Sequence, residues 1–155
     1  MHIRHGTYDL DDDAGRIDVD ALWSFLSQQA YWGRWRDRSD LERQLATAWR
    51  VVGAYEHRSG RMVGFARAVS DGVAYAYLAD LYVLTEARGG GLGKELVRTM
   101  IDRGPGACFR WCLHTADAHG MYEQFGFARP DHTYLERPAR HRSHHQTPAP
   151  PSPPR

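Results

Sequence analysis

The sequence has no apolar run approaching the roughly 20 residues that a membrane-spanning helix requires. Its first residues, MHIRHGTYDL, are charged where an exported chain would carry an apolar stretch. The reading is therefore a cytoplasmic protein with no membrane anchor and no leader. Cysteine is scarce: there are only Cys108 and Cys112. At that spacing on an extended segment they sit too far apart to form a disulfide. With His114 and His119 nearby they match no standard zinc pattern. Both are expected to behave as small core residues, and no metal is expected. A clustered basic surface is missing too. Net charge is +1, and residues 138–155 hold Arg140, Arg142 and Arg155 with no acid, so the remainder is mildly acidic. That argues against nucleic acid as a partner and is compatible with a cationic ligand. No internal repeat is visible.

What is present is one domain's length of alternating strands and helices, expected over residues 1–137, and then a Pro-, His- and Arg-rich stretch, 138–155, with nothing to anchor a core. That stretch reads as a disordered tail. Residues 3–9 read as a short strand, and 18–29 as a helix with Leu22, Phe25 and Leu26 on one face. Residues 30–38 look irregular. Ser39 and Glu42 fit a capping box that opens a helix through about residue 49. Three β-prone runs follow, Val51–Glu56, Arg61–Val69 and Val73–Leu84, joined by short turns that suggest an antiparallel meander. A helix over 91–103, a strand at Phe109–His114, a helix from Asp117 as cap to Gly126, and a last strand from Phe127 complete the pattern. The sum is an α/β protein with a mixed sheet.

The informative segment is YLADLYVLTEARGGGLGK, residues 77–94. Glycines between a strand and an amphipathic helix let backbone approach a ligand closely. The first amides of the helix lack intrahelical acceptors and lie at the positive end of its dipole, which suits a phosphate or pyrophosphate. Gly93-Lys94 is followed by Glu95, so the Walker A pattern fails, and no start among the glycines satisfies G-x-G-x-x-G.

Arg88, Gly91 and Gly93 instead fit R-x-x-G-x-G, which resembles the pyrophosphate-binding motif of the GNAT superfamily of N-acetyltransferases. Leu81-Tyr82-Val83 is similar to the strand ahead of that motif. DAHGMYEQFGF, residues 117–127, resembles the D-A-x-x-[LM]-Y-x-x-x-G-F segment near the end of such domains. FARAVSDGVAYAYLADLYV is also similar to a bacterial subfamily whose acceptors are mostly unassigned. The resemblance implies a mixed, mostly antiparallel sheet with a splayed parallel strand pair and flanking helices. It implies acetyl-CoA as cofactor, an amine acceptor (small molecule or peptide), and a homodimer as a common assembly.

Carried over by position, Leu81, Tyr82 and Val83 would offer backbone groups to the pantetheine arm. Arg88, Gly89, Gly90, Gly91, Leu92, Gly93 and Lys94 would hold the pyrophosphate. The reaction implied is direct attack of an amine on the thioester in a ternary complex. A lysine-like ammonium, with pKa about 10.4, is neutral in roughly one molecule in 2,500 at pH 7, which costs about 4.6 kcal/mol unless the site helps. Asp80 is the candidate base, and an ion pair with Arg67 is its structural alternative. A strand amide near Leu81 to Val83 would stabilise the oxyanion. Tyr122 occupies the family's acid position, with His119 three residues earlier on the same helix face. Tyr31, Trp32 and Trp35 are candidates for the acceptor pocket, able to hold a cation over their rings. Arg34, Arg36 and Arg38 beside them would favour an anionic group on the acceptor instead. A module that binds acyl-CoA without turnover is the alternative reading, and a nucleotide-binding interaction domain is a weaker third.

Overall fold

Gly6, with φ 58°, turns the chain back on itself after four residues, so the expected single strand over 3–9 is a hairpin. Its arms are β1 (His2–His5) and β2 (Tyr8–Asp11), with His5 opposite Tyr8. The computed structural model describes residues 1–139, and most of the tail expected from 138 onward lies outside the described residues. β3 (Arg50–Glu56), β4 (Met62–Ser70) and β5 (Tyr75–Val83) form the expected meander. The second turn is held by Asp71 Oδ1, which accepts from the amides of Val73, Ala74 and Tyr75. β6 (Arg110–Cys112) joins β5 in parallel, giving the order β1-β2-β3-β4-β5-β6 with one parallel pair. The strand expected from Phe127 does not form within the described residues. Pro130 lacks the amide that a ladder needs, and Asp131 draws the amide and hydroxyl of Thr133 into a turn.

α1 (Val19–Gln28) is capped by Asp18, which accepts from Ala21 N, and buries Leu22, Phe25 and Leu26. α2 (Arg38–Ala46) starts one residue before Ser39. Asp37, not Ser39, accepts from the third helical amide, and Asp40 bonds back to the Asp37 amide. The helix stops at Ala46 because Trp49 N is already committed to the sheet through Ala68 O. α3 (Leu92–Met100) ends short of 103 where the Arg50 guanidinium takes the carbonyls of Thr99 and Met100. α4 (His119–Glu123) is one short turn. Thr115, not Asp117, bonds the Ala118 amide ahead of it, and Gly126 at φ 81° ends the segment as expected. No helix of the described residues is long and apolar enough to cross a membrane.

The sheet carries a core on each face. On one face Val52, Ala54 and Val63 join Leu96, Val97 and Met100 of α3. On the other Val51, Phe65 and Tyr82 join Leu22 and Phe25 of α1 and Leu41 of α2. Neighbours such as Val51 and Val52 thus serve opposite faces, as the strand period of two dictates. Cys108 departs from its core reading. It is exposed in the loop ahead of β6, while half-buried Cys112 places Sγ 2.8 Å from Tyr75 Oη.

Candidate active site

β5 and β6 touch only along Tyr75–Tyr77 and Arg110–Cys112. β5 then runs on to Val83 while the chain after Cys112 turns away, and the gap is a cleft of about 1020 Å³. A bulge shapes its wall. Asp80 and Leu81 together face one residue of β4, Ala66, between the pairs Phe65–Tyr82 and Arg67–Ala79. Asp80 takes φ 53°, a left-handed conformation that costs a non-glycine residue about 1–2 kcal/mol. Something must hold it there.

Two arginines do. Arg36 grips Asp80 with two bonds, Nη2 to Oδ1 at 2.6 Å and Nη1 to Oδ2 at 3.0 Å, and Nη1 also reaches Gln44 Oε1 at 2.6 Å. Arg67 reaches Oδ2 through Nε at 2.9 Å and Nη2 at 2.8 Å. All three side chains are buried, at 5% exposure for Arg36 and 6% for Arg67 and Asp80. Burial alone would raise the Asp80 pKa. The Arg36 hydrogen bonds and the charges of both arginines outweigh it and hold the carboxyl below its ordinary value.

At the other end lies the glycine loop. Gly89 (φ 90°) and Gly91 (φ 78°) adopt conformations that favour glycine, and α3 opens at Leu92. The amide of Arg88 is taken by Thr85 O at 3.2 Å, and that of Glu95 by Gly91 O at 3.0 Å. The amides between, Gly89 to Lys94, bond to no protein acceptor among the described residues. Space beside Gly89 and Gly90 is open, with no heavy atom within 4 Å of a Cβ placed there. Arg88 donates Nε to Val83 O at 2.9 Å, tying the loop to the end of β5.

Tyr122 closes the far wall from α4. It is buried at 8% exposure, with Phe127 edge-on at 5.7 Å. Its side chain also borders the neighbouring depression, and its hydroxyl bonds to no protein atom among the described residues and is not sealed from solvent. Burial, helped by the Asp117 charge, pushes its pKa up to about 12.

The aromatic connection 30–37 packs against α1 through Gly33, where a Cβ would lie 2.4 Å from Leu26 O. Tyr31 and Trp32 meet edge to face at 4.9 Å. The Trp35 ring already has a cation, with the Arg36 guanidinium 5.0 Å from its centre.

The candidate pair Tyr122 and Asp80, the aromatics Tyr31, Trp32 and Trp35, and residues 81–83 and 88–94 all line this cleft except Gly90, whose carbonyl instead accepts from His5 Nε2 at 2.9 Å. His119 borders a neighbouring depression, not the cleft. Of Arg34, Arg36 and Arg38, only Arg36 turns inward. Arg34 bonds Gln28 O, and Arg38 pairs with Asp20 and Glu42 at the surface. Two lining residues were given no role in the site by the sequence: Tyr77, whose hydroxyl lies 3.1 Å from His114 Nδ1, and His114, whose Nε2 lies 3.2 Å from Glu136 Oε2. Only the point where β5 and β6 part company brings them together.

The profile of the Acetyltransferase (GNAT) family matches residues 18–127. A Gibberella zeae protein that bears the name of an acetyltransferase, FG08082, is 34% identical over 87 residues. Those residues are 56% of this chain and 47% of that protein, so the chain matches about half the length of this curated relative. Among solved structures, a GNAT-family protein of Xanthomonas campestris pv. campestris superposes with a TM-score of 0.78 at 30% identity, over 85% of this chain and 93% of that one. A structure from Deinococcus radiodurans R1 reaches 0.64 at 25% identity, over 88% and 94%. One from Clostridium acetobutylicum, solved with acetyl-CoA, gives 0.61 at 16% identity over 89% and 96%, which speaks to the fold alone. With the family profile spanning most of the chain and strands splayed beside a glycine loop, this protein belongs to the GNAT family of acetyltransferases.

Proposed function

We propose that this chain moves an acetyl group from acetyl-CoA to an amine by direct attack in a ternary complex. The observation that carries the proposal is the run of amides from Gly89 to Lys94, unpartnered by protein among the described residues, in a loop that lines the cleft beside β5 at every position but Gly90. A pyrophosphate fits such a run at the positive end of a helix. Lys94 and the free guanidinium nitrogens of Arg88 add charge there. Leu81, Tyr82 and Val83 flank the gap along which a pantetheine arm would lie, although the Val83 carbonyl is already engaged by Arg88. When bound, acetyl-CoA supplies the activated acetyl group. The chain supplies position and proton management.

Tyr122 stays protonated throughout the neutral range, so its hydroxyl is a hydrogen-bond donor. Full proton transfer from a phenol near 12 to a thiolate near 8.5 is uphill by roughly 5 kcal/mol. Its role in the proposal is therefore to donate a hydrogen bond to the departing sulfur. Asp80 enters in the role its geometry supports. Both oxygens are committed to guanidinium groups, and a carboxyl held below its ordinary pKa is a poor acceptor for an ammonium proton. It anchors Arg36 and Arg67. His114, exposed at the rim with Nδ1 on the Tyr77 hydroxyl and Nε2 on Glu136, gives a hydrogen-bonded route out of the cleft, and it is the proposed exit for the amine's proton.

The test is to titrate acetyl-CoA and then follow release of free thiol with a panel of amines. Binding with turnover is expected. Binding without turnover on any amine would make the chain a sensing module, and absence of binding would end the proposal.

A further inference from the structure

The charges at the aromatic end do not balance. The carboxylates lining the cleft are Asp80 and Asp117. Asp117 is exposed, beside α4 and close enough to Tyr122 to affect its titration. Asp80 is shared between two arginines. Arg36, Arg67 and Asp80 together leave one net positive charge, buried where Tyr31, Trp32 and Trp35 approach β5. Burying an uncompensated charge is costly, so the imbalance calls for an anion.

The arginines also hold unused donors. Arg67 spends Nε and Nη2 on Asp80. Its Nη1 bonds to no protein atom among the described residues and is not sealed from the cleft. Arg36 Nε is sealed from solvent with no partner. Arg67 Nη1 is thus the donor left for a second carboxylate.

A polyamine or aminoglycoside would meet the opposite of what it needs: no carboxylate at this end is free to receive a second ammonium. A phosphate dianion would overshoot a single net charge. A carboxylate matches it. Phe25, Trp32 and Trp35 line the same end and suit an apolar or aromatic body. Resting on the acetyl-transfer reading above, we infer that the acceptor is an amine that also carries a carboxylate: an amino acid with an apolar or aromatic side chain, its carboxylate held by Arg67 and its amine toward the thioester.

The experiment compares acceptors that differ only in the carboxylate, using tryptophan with tryptamine, phenylalanine with phenethylamine and leucine with 3-methylbutylamine, and adds phosphoethanolamine and spermidine. The expected result is a kcat/KM advantage of about tenfold or more for the acid of at least one pair, the size of one charge-assisted hydrogen bond. In Arg67→Gln that advantage should fall below about threefold while the KM for acetyl-CoA holds, and Arg67→Lys should recover part of it. Should neither variant fold, inhibition of the wild-type chain by N-acetyltryptophan against N-acetyltryptamine reads the same preference. Equal rates within every pair, or preference for spermidine or phosphoethanolamine, would overturn the inference and leave acetyl transfer standing. No acetyl-CoA binding at all would remove the reading beneath it.

Discussion

At the glycine end of the cleft the groups offered to a ligand are backbone amides from one continuous stretch, Gly89 to Lys94. At the aromatic end they are side chains drawn from α1, the connection after it, α2, β4 and β5. The first end can be disturbed without breaking a bond of those amides to the protein, because they have no protein acceptor among the described residues. The second end is also part of the core. Asp80 pins a connection and two strands together through buried charge, and it holds its own backbone in a left-handed conformation while doing so. Losses at the two ends should therefore look different: binding, with no more than a local backbone cost, at one, and stability together with specificity at the other.

The largest effect should come from the aromatic end. Asp80→Asn leaves two guanidinium groups buried without a counter-charge, and breaking a buried pair this way costs about 3–5 kcal/mol. Urea unfolding at pH 7 should show that loss. Acid adds a check of sign. The folded pKa of Asp80 lies below its unfolded value, so its contribution is complete above the unfolded value and disappears as pH falls through the depressed one. The gap between wild type and Asp80→Asn should hence narrow as pH drops below about 4. A gap that stayed constant into acid would mean that the carboxylate's charge is not what holds this end.

At the glycine end the effect should be smaller and confined. Saturation with acetyl-CoA at 100 times its dissociation constant should stabilise the wild-type chain by about 2.7 kcal/mol. Gly91→Ala forces a Cβ into a left-handed position at a cost of about 1–2 kcal/mol. It should weaken acetyl-CoA binding while the acceptor's KM stays put. A shift in acceptor KM of equal size would show that the two ends are not separable.

The same contrast explains what the sequence makes readable. A loop that binds through backbone must put glycine where φ turns positive, and those positions fall at fixed spacing, so Gly89, Gly91 and the helix behind them are visible in one dimension. The meander and the two-faced core are visible for a similar reason, since strand alternation is local. The aromatic end is assembled by tertiary structure. Arg36 and Arg67 are 31 positions apart and meet only because a bulge opposite Ala66 turns Asp80 between them. Nothing near Arg36 tells it from Arg34 or Arg38, which face solvent. Local competition hid other features: Asp37 outcompetes Ser39 as a cap, Gly6 turns a strand into a hairpin, and Pro130 with Asp131 breaks the strand expected from Phe127.

The smallest effect probes where the ends meet. Tyr122→Phe removes one hydroxyl that bonds to no protein group among the described residues, so stability and acetyl-CoA affinity should change little. Turnover should fall by about tenfold, the scale of one hydrogen bond made to developing charge. The pH profile then separates donor from acid. Because the Tyr122 pKa stands at about 12, kcat should show no limb between pH 7 and 10 that belongs to this residue. Wild type and Tyr122→Phe should run parallel there, offset by a constant factor. An alkaline limb present in the wild type and abolished by the substitution would mean that the tyrosine gives up its proton during turnover, and its environment with acetyl-CoA bound would then have to lower a pKa that burial raises in the free chain.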